Sequence, residues 1–96
     1  MTRELDSLSI TSELIRAGRA LLRWNQGDLA RASGVSLPTV KRLEAIPGIL
    51  AAHSSTVAAL RRALESAGIE FTNGSGPGVR LKPDSQTKNP VDDRGH

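Results

Sequence analysis

The sequence predicts a mainly helical domain: a bundle of four helices followed by a C-terminal β-hairpin. Three observations carry this expectation. Apolar residues recur at helical spacing from Thr11 to Gly68. Residues that start and stop helices cut that stretch at Asn25, Gly34, Ser36, Pro47-Gly48 and Gly68. Beyond Gly68 the period falls to two, on both sides of a glycine-rich connection.

Composition narrows the class. At 96 residues and 10.2 kDa the chain has the length of one domain. The apolar fraction is 38%, or about 47% with glycine, as expected of a folded chain. Trp24 and Phe71 are the only aromatics, so the core must be aliphatic. There is no Cys, and with only two His a zinc site is not expected. No run of apolar residues is long enough to span a membrane. Arg3, Glu4 and Asp6 precede no apolar run, which argues against a signal peptide and for a cytoplasmic protein. A domain this small without staples gains from a dimer partner.

The elements follow in order. Residues 1–10 read as an N-terminal arm that covers core surface. In the first helix Thr11 or Ser12 caps, Glu13 suits the first turn, and Leu14, Ile15, Gly18, Leu21 and Leu22 form the apolar face. Arg16, Arg19 and Arg23 fall mostly on the other side, and the helix should end near Arg23 or Trp24. Trp24 reads as a packing residue. Asn25 caps the second helix, Gln26–Ser33, with Asp28 completing a carboxylate capping box, and Gly34 closes it. Ser36 caps the third helix, Pro38 sits at its second position, and Val40 and Leu43 face inward. An apolar loop with Ile46, Ile49 and Leu50 follows. Ser54 or Ser55 caps the fourth helix, along which Val57, Leu60, Leu64 and Ala67 repeat at helical spacing, and Gly68 closes it. Strands 69–72 and 79–82 then form the hairpin, and the polar residues 84–96 form a disordered tail. The implied organisation is an arm (1–10), a helical domain (11–68), a hairpin (69–83) that could pair across a two-fold axis or with a partner protein, and a tail (84–96).

The informative stretch is residues 25–44, NQGDLARASGVSLPTVKRLE. It sets two short helices around a turn containing Gly34, an arrangement that projects the second helix outward. Ala30 must be small where the helices cross, and Val35 and Val40 fill the space between them. Leu37, Pro38, Thr39, Lys41 and Arg42 are left free to meet something else. Gln26, Leu29, Ala30, Gly34, Val35, Ser36, Val40, Leu43 and Glu44 resemble, in order and spacing, the Cro/repressor-type helix-turn-helix family of bacterial and phage regulators, also called the xenobiotic-response-element family. The resemblance covers roughly residues 12–68.

The resemblance implies a lambda-repressor-like helix-turn-helix bundle and a sequence-specific transcriptional regulator, such as a repressor. It would act as a homodimer on an inverted-repeat operator in double-stranded DNA. By the same resemblance Gln26 would bond a phosphate. Ser36, Leu37, Pro38, Thr39, Lys41 and Arg42 would form the recognition helix and its entry in the major groove. Arg19 and Glu44 match the positions of a structural ion pair. The local charge agrees: from Leu14 to Leu43 six basic residues face Asp28 alone, a local +5 inside a chain of net +3.

Two further roles compete for the same fold. An antitoxin would bind its promoter and engage a toxin through the hairpin or tail. A protein-binding adaptor would use the apolar loop or the hairpin edge. An enzyme is not expected: no general base accompanies the serines, His53 has no ligand partners near it, and Gly74–Gly78 lacks the rest of a phosphate loop. No cofactor is implied.

Overall fold

The computed structural model describes residues 10–72 and 76–83. Most of the expected arm and all of the expected tail lie outside the described residues. The element order is α1 (Ser12–Leu22), α2 (Gln26–Ser33), α3 (Leu37–Ala45), α4 (Ser54–Ser66), β1 (Ile69–Thr72) and β2 (Gly78–Leu81). The protein is mainly helical, with an antiparallel two-stranded hairpin after four helices.

Local chemistry sets the helix ends. The Thr11 hydroxyl accepts from the Leu14 N–H at 3.1 Å and opens α1. At its other end Arg23 takes the left-handed conformation (φ 60°), and Arg23 and Trp24 N–H bond the carbonyls of Ala20 and Arg19. A non-glycine residue in that conformation costs about 1–2 kcal/mol, which this closure offsets. α2 opens on a reciprocal capping box: the Asp28 N–H donates to Asn25 Oδ1 at 2.8 Å and the Asn25 N–H to Asp28 Oδ2 at 2.9 Å. It closes on Gly34, whose φ of 80° favours glycine. Ser36 caps α3 by accepting from the Thr39 N–H at 3.3 Å.

Three expectations need correction. Leu21 is 44% exposed and stands outside the α1 face formed by Ile15, Gly18 and the half-buried Leu22. Consecutive residues point about 100° apart on a helix, so with Leu22 turned toward the core Leu21 falls at the outer edge of that face. The N-cap of α4 is His53, with no side-chain cap bond, rather than Ser54 or Ser55. Its extended backbone turns the chain, and its carbonyl already accepts from Thr56 and Val57. β2 starts at Gly78 and ends at Leu81, one residue earlier than expected.

The core is aliphatic. Ile10, Ile15, Leu29, Val40, Leu43, Leu50, Val57, Leu60, Leu64 and Ile69 are buried, and Trp24 and Phe71 pack against them. The apolar loop belongs partly to this core. Leu50 inserts, and the segment pairs with the entry to α1 through Leu50 N–H to Ile10 carbonyl (3.1 Å) and Ser12 N–H to Gly48 carbonyl (2.9 Å). The hairpin pairs Ile69 with Leu81 and Phe71 with Val79, and it packs on α1 and α4. The Arg61 guanidinium lies 5.3 Å from the Phe71 ring centroid.

Two results are expected here. A Cβ on Gly18 would meet the Leu64 methyls at 3.5 Å and the Ile69 side chain at 3.7 Å, which is ordinary contact. Gly18→Ala should therefore keep the packing and gain helix propensity of up to about 1 kcal/mol, read as a rise in Tm. Gly18→Leu should overpack the site and lower Tm. The second result concerns Glu13. Its carboxyl is held below the ordinary 4.5 by its own backbone N–H and then by the Gly48 N–H, which donates at 3.2 Å. A depressed carboxylate stabilises the fold above its unfolded pKa, and that stability is lost as pH falls through the lower folded value. Acid unfolding curves of Glu13→Gln should show a weaker pH dependence below about pH 4.5 than the parent chain.

Candidate nucleic-acid interface

The exposed face of α3 is built by exclusion. Val40 and Leu43 occupy the buried side, so Lys41 and Arg42, about 100° and 200° round the helix from Val40, stand in solvent. Ser36, Leu37 and Pro38 stand exposed at the entry, and Thr39 is half-buried. The Ser36 hydroxyl lies 2.9 Å from the Thr39 hydroxyl, which joins the cap to the first turn. Among the described residues no carboxylate lies within ion-pair distance of Lys41 or Arg42.

The back of α3 is fastened by Glu44, which is only 4% exposed. Arg19 donates from Nε to Glu44 Oε2 at 2.8 Å and from Nη2 to Oε1 at 2.6 Å, a two-pronged contact. Its third nitrogen, Nη1, reaches the Trp24 carbonyl at 2.9 Å. The expected Arg19–Glu44 ion pair is thus present, and it ties α1 to the end of α3.

The hub is larger than the sequence suggested. Gln26 Nε2 donates to Glu44 Oε1 at 3.0 Å, and Arg16 Nη1 donates to the Glu44 carbonyl at 2.7 Å. One carboxylate and one carbonyl therefore gather α1, α2 and α3. The shared flank of Arg16 and Arg19, three apart on one helix, is the only sequence signal for the Arg16 contact. Gln26 is half-buried and spends one amide hydrogen on Glu44, leaving the second for another acceptor.

The local charge is also redistributed. Counting one residue further, to Glu44, sets six basic residues against two acidic ones, a local +4. Arg19 is neutralised by Glu44, and Arg31 by Asp28 at 2.5 Å. The cations left outward around α3 are Lys41 and Arg42. Arg42 also borders a depression of about 520 Å³ with Thr39, Ala51, Ala52, His53 and Thr56, where α4 begins. The N–H groups of Ser54 and Ser55 have no backbone partner among the described residues, because His53 serves only Thr56 and Val57.

The fold and this site together define a small helical domain that presents one short basic helix on a braced three-helix frame. No protein-family model matches the chain, and no curated protein matches it. Among the described residues there is no cluster of His, Asp or Glu able to hold a metal, and no helix long and apolar enough to cross a membrane.

Proposed function

We propose that the protein is a sequence-specific DNA-binding transcriptional regulator of the lambda-repressor-like helix-turn-helix type, acting as a homodimer on an inverted repeat. One observation carries this reading: α3 turns Lys41 and Arg42 outward without carboxylate partners among the described residues, while Glu44 locks its opposite side. A helix held this way can enter a major groove without losing its register on the frame. Lys41 and Arg42 would reach guanine N7/O6 or phosphate, and Leu37 and Pro38 would meet thymine methyl groups. The free amide hydrogen of Gln26 and the open N-terminus of α4 supply further donors for phosphates. Two-fold symmetry would set half-site centres about 34 Å apart, one turn of DNA.

The test is a binding titration on DNA fragments from the protein's own locus. A complex whose log K falls linearly with log salt supports the reading, and salt-independent or absent binding overturns it. A second reading, protein binding beside α3, is favoured by Ile46 and Ile49, which are 48% and 62% exposed. It would leave the elution profile unchanged with DNA and shift it with a protein partner.

A further inference from the structure

The hairpin has an open edge, and its bonding pattern says which way that edge faces. The Lys82 N–H donates to the Gly68 carbonyl at 2.8 Å, which makes Gly68–Lys82 a hydrogen-bonded pair. Pairs alternate along an antiparallel ladder, so Glu70–Arg80 and Thr72–Gly78 exchange bonds, while Ile69–Leu81 and Phe71–Val79 do not. The N–H and C=O groups of Val79 and Leu81 therefore point away from β1. Neither residue has a backbone bond outside the hairpin among the described residues. Such an edge is a template for another strand.

We propose that this edge pairs with β2 of a second copy of the chain, giving a four-stranded antiparallel sheet with Arg80 on the two-fold axis. The inference names the interface of the homodimer put forward above and rests on that reading only for its biological role. The register argues for self-pairing. With Arg80 on the axis, Val79 of each copy faces Leu81 of the other, and all four outward N–H groups find carbonyls. Centring on Val79 instead would set Leu81 against Pro77, and centring on Leu81 would set Val79 against Pro83. Proline offers no N–H, so both neighbouring registers lose bonds.

The side chains agree with the backbone. Ile69, Phe71, Val79 and Leu81 share the inner face, yet only Ile69 is fully buried. β2 packs on α1, whose flank away from Arg16 and Arg19 carries Leu14, Ala17 and the exposed Leu21. A second sheet half would extend this apolar face and cover more of it. On the outer face the two Arg80 side chains meet at the axis, each balanced by its own Glu70 at 2.7 Å.

The chain has no Cys, so one introduced thiol is an unambiguous probe. Facing residues of a non-bonded antiparallel pair have Cα atoms about 4.5 Å apart, within disulfide range. Arg80→Cys should give a covalent dimer on mild oxidation. Glu70→Cys, three strand spacings or about 14 Å from its copy, should not. Sedimentation equilibrium of the parent chain, without DNA, should give twice 10.2 kDa. Val79→Pro, which removes an N–H that the hairpin does not use, should weaken the dimer at least tenfold and keep the helical circular dichroism.

A monomer in sedimentation overturns the proposal. Equal cross-linking of both Cys variants overturns it as well. No measurement here contains DNA, so failure of the interface and failure of DNA binding are read separately.

Discussion

Glu44→Ala is expected to cost about 2–4 kcal/mol, a fall in Tm of roughly 10–25 °C for a domain of this size. The carboxylate is 4% exposed and receives Arg19 twice and Gln26 once. Removing it leaves a guanidinium whose side chain is 17% exposed without its counter-charge. That residual exposure and the bond to the Trp24 carbonyl keep the cost below that of a fully buried orphan charge. Arg19→Met combined with Glu44→Leu should recover most of the loss, because an apolar pair needs no compensation. Thermal unfolding of the parent chain and the two variants checks this. A Glu44→Ala chain as stable as the parent would mean that the hub does not brace the frame.

Lys41→Ala combined with Arg42→Ala should weaken DNA binding at least tenfold and leave the stability within about 0.5 kcal/mol of the parent, since both side chains are exposed and have no ion-pair partner among the described residues. The decisive readout is the salt slope. Each lost phosphate contact lowers the slope of log K against log salt by about 0.9, so two lost contacts lower it by about 1.8. A base contact instead relaxes preference at one operator position, worth about 1–3 kcal/mol, with a smaller change in slope. The single variants therefore separate the two roles. A double variant that binds as tightly as the parent sinks the DNA-binding reading, while the Glu44 result stands on its own.

Much of the fold was legible because helix ends are local chemistry. Asn25 with Asp28, Ser36 with Pro38, and Gly34 act through bonds spanning a few residues, and each was found where its residue type implied. Failures came where local signals were degenerate. Two serines after His53 looked like better caps than a histidine, yet chain direction placed the turn one residue earlier. Leu21 and Leu22 were equally apolar, and only the placement of the hairpin and α4 chose between them.

The candidate site divides in the same way. The outward set Ser36, Leu37, Pro38, Lys41 and Arg42 follows from Val40 and Leu43 being buried, a periodicity that one helix carries alone. The Glu44 hub is different. Its partners lie 18 and 25 residues away in the chain, and Arg16 lies 28 away, separations that no local pattern encodes.

The fold class, four helices and then a hairpin, was set by sequence alone through period, caps and breakers. Tertiary structure decided the rest. Of the cations behind the local +5, it commits Arg16 and Arg19 to Glu44 and pairs Arg31 with Asp28, leaving Lys41 and Arg42 as the outward cations of α3. It also turned a symmetric-looking hairpin into one with a defined free edge. Charge counts and alternation describe composition along a line, whereas pairing and exposure depend on which residues the folded chain brings within a few ångströms.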